Sequence, residues 1–316
     1  MDDFSDLSHL HVAVLAGGPG SEREVSLASA TSVVEALTPH VGRVTLVDIR
    51  DDQFELPPGT DIGFNVIHGT FGEDGTLQRL MEARGVPYTG ARADSSAIAF
   101  DKVLSKNKFL EAGVQTPTSQ VFMIDQDSAD ELTIPCVVKP PREGSSVGVH
   151  IVNSRTELAA ALADASKYSK DVLVEQFIVG RELTVGVVGD DVYPVVEIKP
   201  RSGFYDMANK YPWMNPEATE EQQAAMGSDY FCPADLPEDV AARILGEAKK
   251  AHQSVGAEVY SRVDVLLDAD HEPWVLEVNT IPGMTSTSLL PKAAAAAGTD
   301  FSNLCLKIIK LSLTFS

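Results

Sequence analysis

No run of the 316-residue chain approaches the roughly 18 consecutive apolar residues that a bilayer-spanning helix needs, so a membrane helix is excluded. Cysteine is scarce. Cys136, Cys232 and Cys305 are scattered and lack metal-ligand spacing, which leaves them to be read as reduced packing thiols. Positive charge is also short: 25 Lys and Arg stand against 46 Asp and Glu, a formal net charge of −21. A field of that sign repels nucleic acid and anionic membrane surfaces, so neither is expected as a partner. A phosphate ligand would need local lysines, loop amides and bound cations to reverse the field. Internal repeats and low-complexity tracts are missing. So is a dinucleotide fingerprint, because Gly17-Gly18-Pro19-Gly20 lacks the third glycine, and so is a Walker loop. The first residues, Met1-Asp2-Asp3-Phe4-Ser5-Asp6, are acidic where a secretory leader would be basic, and the expected location is the cytoplasm.

What is present is a globular composition, 44% hydrophobic, in a chain longer than the about 250–300 residues at which single cores stop growing, so two or three domains are expected. The first segment reads as α/β. His11 to Ala16 is a buried strand ended by glycines, Ser21 and Glu24 form a capping box, and Val25, Leu27, Ala28, Val33, Val34 and Leu37 follow at helical spacing. Strands at 44–47, 61–67 and 86–89 and a helix at 76–84 complete a parallel sheet with helices. One helix is predicted over 97–112, capped by Gly113. β-rich segments follow near 120–124, 135–139 and 148–152, then a helix near 156–165 and strands at 172–178, 182–188 and 192–198. After an irregular stretch from Lys199 to Asp229 come a helix over 238–256, a hairpin, and two C-terminal helices, the first bracketed by Pro291 and Gly298.

Three constellations carry chemistry. Val263 to Leu267 and Trp274 to Asn279 are strand-like runs joined by the turn residues Asp268 to Pro273. A hairpin folded about Asp270-His271 sets Asp264 opposite Glu277, and the two-residue period puts Asn279 on the same face. Two carboxylates and a carboxamide suit magnesium, which takes the rest of its shell from water and phosphates; a solvated strand face would serve these residues equally well. Lys139 to Gly148 is a lysine delivered by a strand into a loop rich in glycine and serine, able to wrap phosphate oxygens with backbone N–H groups. The same residues also make an ordinary polar hairpin loop. Val172 to Glu182 offers backbone groups and Phe177 to a base, and Glu182 to ribose hydroxyls; an ordinary strand end has the same composition. Glu22, beside the glycine turn, stands where it could hold an ammonium group or merely favour a helix dipole.

Together these blocks resemble the ATP-grasp ligases and, within them, the D-alanine:D-alanine ligase family, along nearly the whole chain. The resemblance is carried by Gly17-Gly18 with Ser21 to Leu27, His68-Gly69-Thr70-Phe71-Gly72-Glu73-Asp74-Gly75, Asp101-Lys102, the Lys139 to Gly148 loop, Phe204-Tyr205-Asp206 with Lys210-Tyr211, and Tyr230 to Ala234. It continues through Ser261 to Asp264, Leu276 to Thr280, and Pro282 to Thr285 with Ser288-Leu289. It implies a mixed α/β ATP-grasp fold of three domains: a Rossmann-like substrate domain at 1–91, a central domain with the glycine-rich loop at 92–181, and a C-terminal domain at 182–316 holding a lid loop at about 200–230 and the metal hairpin.

The implied activity is ATP-dependent joining of two D-alanines through an acyl phosphate, for cell-wall precursors. The resemblance implies that Lys102, Lys139, Phe204 and Lys210 serve the nucleotide's binding, that Glu175 with the backbone at Phe177 and Ile178 receives adenine, and that Glu182 receives ribose. By the same resemblance Asp264, Glu277 and Asn279 hold two magnesium ions, for which manganese can substitute. Glu22 binds the ammonium of the first D-alanine with His68 near its carboxylate, and Ser145 with Tyr211 orients Glu22. Arg262 and the Gly283 amide stabilise the tetrahedral oxyanion, and Ser288 and Leu289 receive the second D-alanine. Tyr211 goes with D-alanine rather than D-lactate as second substrate, and a homodimer is implied. The chain departs from the pattern at Gly20, where serine is common, at Met207 and Asn209, and in the length of 212–229, expected to be an extended mobile lid. A ligase with D-serine or D-lactate as second substrate, or a nucleotide-binding regulatory module without turnover, remains the alternative; Lys139, Arg262 and Glu277, whose loss would mark the latter, are present.

Overall fold

A computed structural model of the chain describes residues 4–201, 219 and 227–314. Phe204, Lys210 and Tyr211 lie outside the described residues, as does the lid expected at 212–229 apart from Thr219 and residues 227–229. The described residues form three sheets.

Strands β1 (His11–Gly17), β2 (Arg43–Ile49) and β3 (Ile62–Asn65) make a parallel sheet in the order β2-β1-β3. Every residue of β1 is buried, as a parallel strand covered on both faces should be. Helix α1 (Arg23–Leu37) shares one apolar core with that sheet and with α7 (Leu289–Ala296) and α8 (Phe301–Thr314), which return from the far end of the chain. Helix α2 (Thr76–Arg84) packs on the other face through Leu77 and Met81. The strand expected at 86–89 is reduced to a bridge between Gly63 and Tyr88, because Pro87 has no N–H to extend a ladder. The capping box is also absent. Glu22 is the N-cap of α1, its side chain makes no cap bond, and Ser21 falls one residue outside.

The helix expected over 97–112 is two, α3 (Ala93–Phe100) and α4 (Lys102–Glu111). Asp101 between them has extended backbone, and its carboxylate accepts the N–H groups of Val103 and Leu104, so the side chain that interrupts one helix caps the next. This break places Lys102 and Lys106 one turn apart on the same new helix.

Strands β4 (Ser119–Met123), β5 (Cys136–Lys139), β6 (His150–Val152) and β7 (Asp171–Gln176) form an antiparallel sheet in the order β4-β7-β5-β6, and α5 (Arg155–Ala165) packs on one face of it. The third sheet runs β11 (Ser228–Phe231), β10 (Val196–Pro200), β8 (Arg181–Val188), β12 (Tyr260–Leu267), β13 (Pro273–Asn279), with β9 (Asp191–Val192) beside β8. The strand expected over 192–198 is therefore split, and Pro194 sits in the gap. Helices α3, α4 and α6 (Glu238–Ser254) bury their apolar residues against this sheet. The other face of the four-stranded sheet and the β8–β12–β13 face of the large one enclose a cleft.

Candidate active site

The hairpin pairs the expected residues at its far end, but nearer the turn Val265 lies opposite Val275, and a β-bulge between Asp264 and Val265 shifts the register by one residue. Asp264 lies opposite Glu277 and Arg262 opposite Asn279, so all four side chains share one face. The turn is made by His271, in left-handed backbone at φ 61°. Arg262 grips Asp264 through two bonds, Nε to Oδ1 at 2.9 Å and an Nη to Oδ2 at 2.7 Å, and the Thr184 hydroxyl donates to Oδ1 at 2.6 Å. Lys102 Nζ stands 3.4 Å from Glu277 Oε2, and Asn279 Oδ1 accepts the Ile281 N–H at 2.9 Å. Among the described residues no three His, Cys, Asp or Glu side chains cluster closely enough to hold a metal unaided. Two carboxylates and one carboxamide, all oxygen donors lining the cleft and the pocket beside it, fit a hard divalent cation whose remaining ligands come from water and phosphate.

The cleft encloses about 340 Å³. Its floor is the end of β5 and β7, where Glu175 is buried between two lysines: Lys139 Nζ at 2.6 Å from Oε2 and Lys106 Nζ at 2.8 Å from Oε1. Burial alone would raise the Glu175 pKa, yet Lys139 and Lys106 outweigh it and the carboxyl titrates below its usual range. Burial pushes Lys106 down to about 8, and Glu175 limits the fall. Phe177, Ile178 and Glu182 line the same cleft beyond Glu175.

The loop of residues 140–149 joins the antiparallel pair β5 and β6, so it is a hairpin loop in topology. Ser145 and Ser146 nonetheless hold left-handed backbone, φ 48° and 62°, and Gly148 holds φ 67°. Non-glycine residues in that region cost of order 1–3 kcal/mol each and cluster where a segment serves a ligand. Lys102 Nζ donates to the Glu143 carbonyl at 2.7 Å, tying the loop to α4.

Beside the cleft lies a polar pocket of about 50 Å³. Lys102, Glu143, Ser145 and Glu277 line both cavities. Glu22 reaches it from the start of α1, at the carboxyl end of β1, where open α/β sheets place ligands. The Ser145 hydroxyl donates to Glu22 Oε1. Gly69 and Gly144 pack against the other oxygen: a Cβ on either would stand 2.9 Å or 3.0 Å from Glu22 Oε2. His68 lies within 2.9 Å of the Ile281 carbonyl through Nδ1 and 3.4 Å of Ser29 Oγ through Nε2, with Glu73 3.7 Å away. Burial opposes charging this ring, but Glu73 and Glu22 outweigh it and its pKa is raised. Burial also raises the Glu143 carboxyl; Lys102 opposes and Glu22 adds to the rise.

Arg262 and Gly283 face the polar pocket from the opposite wall. Ser288 and Leu289 follow just beyond and line neither cavity. Ser288 Oγ accepts the Thr285 N–H at 3.1 Å, and Leu289 is buried in the core as the first residue of α7. Lys106, Glu73 and Thr184 contribute to the site although no role for them was read from the sequence, Glu73 standing there only as part of the block that starts at His68. The spacing of Lys106 four residues after Lys102 was a usable signal for the first, whereas Thr184 looks like any strand residue until β8 is paired with β12.

A family model described as D-ala D-ala ligase C-terminus matches residues 107–310, and one described as D-ala D-ala ligase N-terminus matches residues 52–91. The chain is 44% identical over 302 residues to a D-alanine-D-alanine ligase of Methylacidiphilum infernorum, covering 96% of this chain and 95% of that one. It is 41% identical over 307 residues to that of Bordetella petrii, covering 94% and 90%. Among solved structures, the D-alanine-D-alanine ligase of Bacillus anthracis complexed with ATP superposes with a TM-score of 0.82 at 30% identity, covering 98% of both chains. The VanG D-Ala:D-Ser ligase of Enterococcus faecalis superposes with a TM-score of 0.83 at 30% identity, covering 96% of this chain and 100% of that one.

Proposed function

The chain belongs to the D-alanine:D-alanine ligase family, and from that premise we propose how its residues divide the work. The protein is a ligase of ATP-grasp fold that joins two D-alanines with cleavage of ATP, a step toward peptidoglycan. ATP occupies the 340 Å³ cleft, its base against the strand end at Phe177 and Ile178, its ribose near Glu182 and its phosphates between Lys139, Lys102 and the strained glycine loop. The first D-alanine sits in the polar pocket, its ammonium on Glu22 and its carboxylate toward His68 and Arg262. The observation that carries this reading is the wall common to both cavities: Lys102, Ser145 and Glu277 border the nucleotide on one side and the substrate on the other.

A substrate carboxylate oxygen then attacks the γ-phosphorus and ADP leaves, giving an acyl phosphate on the substrate. The amine of the second D-alanine attacks the acyl carbon, inorganic phosphate departs, and the nitrogen gives up a proton as the peptide bond forms. Lys102 and Lys139 neutralise phosphate charge in the first step. Arg262 and the Gly283 amide meet the oxyanion in the second, a role worth roughly 3 kcal/mol per donor in a preorganised site. Asp264, Glu277 and Asn279 would hold magnesium, which when bound draws negative charge from the phosphates. No side chain becomes covalently modified.

Phosphate release should depend on D-alanine and cease in Glu277→Gln while circular dichroism shows an intact fold; release equal to the unaltered protein's would remove Glu277 from the metal set. The likeness to the VanG D-Ala:D-Ser ligase makes D-serine the rival second substrate. Offered D-alanine, D-serine and D-lactate together, the enzyme should make chiefly D-alanyl-D-alanine. A cytoplasmic homodimer, and division of the chain at 91 and 181, belong to the same reading; among the described residues no helix is long and apolar enough to cross a membrane.

A further inference from the structure

Lys106 has no role in the division of work above, although it is 2% exposed and points its ammonium group at a buried carboxylate. A lysine in that position is costly unless its charge is used. Lys139 is the phosphate-facing member of the cluster and lines the cleft, but its ammonium lies 2.6 Å from Glu175. A lone Lys139–Glu175 pair would be neutral, and a neutral pair attracts a nucleotide's phosphates weakly. With Lys106 on the other oxygen of Glu175, the cluster of two cations and one anion carries a net positive charge, a local patch of positive charge in a protein whose overall charge is −21.

Lys106 is also anchored away from the cleft. Its ammonium donates to Thr116 Oγ1 at 2.6 Å and to the Pro117 carbonyl at 3.1 Å, and the Thr116 hydroxyl donates onward to the Val275 carbonyl at 2.8 Å. Val275 lies on β13, two residues before Glu277. One chain of bonds therefore runs from the phosphate-facing lysine of the small sheet to the strand that carries a metal-holding carboxylate on the large one.

We infer that Lys106 is a positioning residue for phosphoryl transfer: it shares Glu175 with Lys139, so that Lys139 keeps its charge for the nucleotide and stays in register with β13. The inference rests on the reading that Lys139 binds phosphate. The charged groups acting on Lys106 are Glu175 from β7 and Lys139 from β5; Thr116, Pro117 and Val275 contribute neutral groups. Since Lys106 titrates at about 8, the cluster loses its net charge as pH rises through that value.

The test compares steady-state kinetics at saturating D-alanine. In Lys106→Met the KM for ATP should rise roughly ten-fold, the equivalent of one charge-assisted contact, with kcat changed much less. In a Glu175→Gln background, Lys106→Met should raise the KM for ATP far less than in the unaltered enzyme, because the amide no longer neutralises Lys139; a purely structural lysine would cost as much in either background. In the unaltered enzyme the KM for ATP should climb as pH passes about 8, and this limb should vanish in Lys106→Met. Unchanged KM in Lys106→Met, an equal rise in both backgrounds, or a flat KM between pH 7 and 9 would each overturn the inference; the last applies even if the variants fail to fold. If Lys139→Met also leaves the KM for ATP unchanged, it is the phosphate assignment of Lys139 that fails, and the inference falls with it.

Discussion

The two cavities that meet at Lys102 and Glu277 are built on different principles. The larger is walled mainly by strands of two facing sheets, with apolar residues such as Val137, Ile178 and Leu276 beside charged ones such as Lys139, Glu182 and Asp264. The smaller takes its walls from separate turns: Glu22 after β1, His68 after β3, Gly144 in the β5–β6 loop, Gly283 after β13. Strand walls give an area of contact spread over many side chains. Turns give single contacts, each with one partner, so a change there should cost more and should fall on a different kinetic constant.

Arg262→Ala is the strongest way to break that contrast. It removes an oxyanion donor and leaves Asp264 with the Thr184 hydroxyl but without its guanidinium, so kcat should fall on the order of 10²- to 10³-fold. Nucleotide affinity, measured by titration calorimetry, should change only a few-fold. An equal loss in both would show the two cavities to be one energetic unit. Glu22→Gln keeps the shape and the Ser145 contact but deletes the charge that faces the substrate ammonium. The KM of the first D-alanine should rise roughly 10- to 100-fold, in line with a charge-assisted bond worth ~1.5–3 kcal/mol, and the KM for ATP should hold.

Gly144→Ala is a gentler probe. The new Cβ would stand 3.0 Å from Glu22 Oε2 and must push that carboxylate by a few tenths of an ångström. A rise of about three-fold in the KM for D-alanine is expected, since positioning errors of this size cost little against a full bond. An unchanged value would mean that the pocket yields at no cost. The last effect falls on stability rather than on a kinetic constant, behind the polar pocket. His252 of α6 is buried and 2.8 Å from Ser261 Oγ, next to Arg262. Burial, with Lys249 adding to it, lowers its pKa from 6.5 to about 4. As pH falls below 6.5 the unfolded chain takes up a proton that the folded chain refuses, so stability declines until about pH 4, where the folded ring charges too. The loss is at most about 3 kcal/mol. His252→Gln should flatten this part of the melting profile by that amount; a profile identical to the unaltered protein's would remove His252 as its cause.

Much of this fold could be read locally. The ends of α2, the start of α5 and the pairing of β12 with β13 follow from helical spacing, a serine cap and a turn near His271, all of which act over a few residues. Errors arose where one residue's side chain or missing N–H overrode a pattern. Asp101 split a helix that periodicity made continuous, and Pro87 and Pro194 thinned two strands. Ser21 and Glu24 had the spacing of a capping box, but the helix begins two residues after Ser21.

The chemistry of the site was legible as residue types: lysines before a glycine loop, paired carboxylates on a hairpin, an acidic residue at a helix start. The hairpin was legible because both strands lie close in sequence, but Asp264 meets Glu277 through a β-bulge next to Val265 that strict period-two alternation does not foresee. Only the tertiary structure decided which distant groups meet. Ser145 reaches Glu22 across 123 positions, His68 finds the Ile281 carbonyl across 213, and Lys106 shares Glu175 with Lys139 because three elements converge behind the cleft. Local rules set spacing along a strand or helix; the approach of one turn to another depends on how whole sheets pack, and no single segment carries that information.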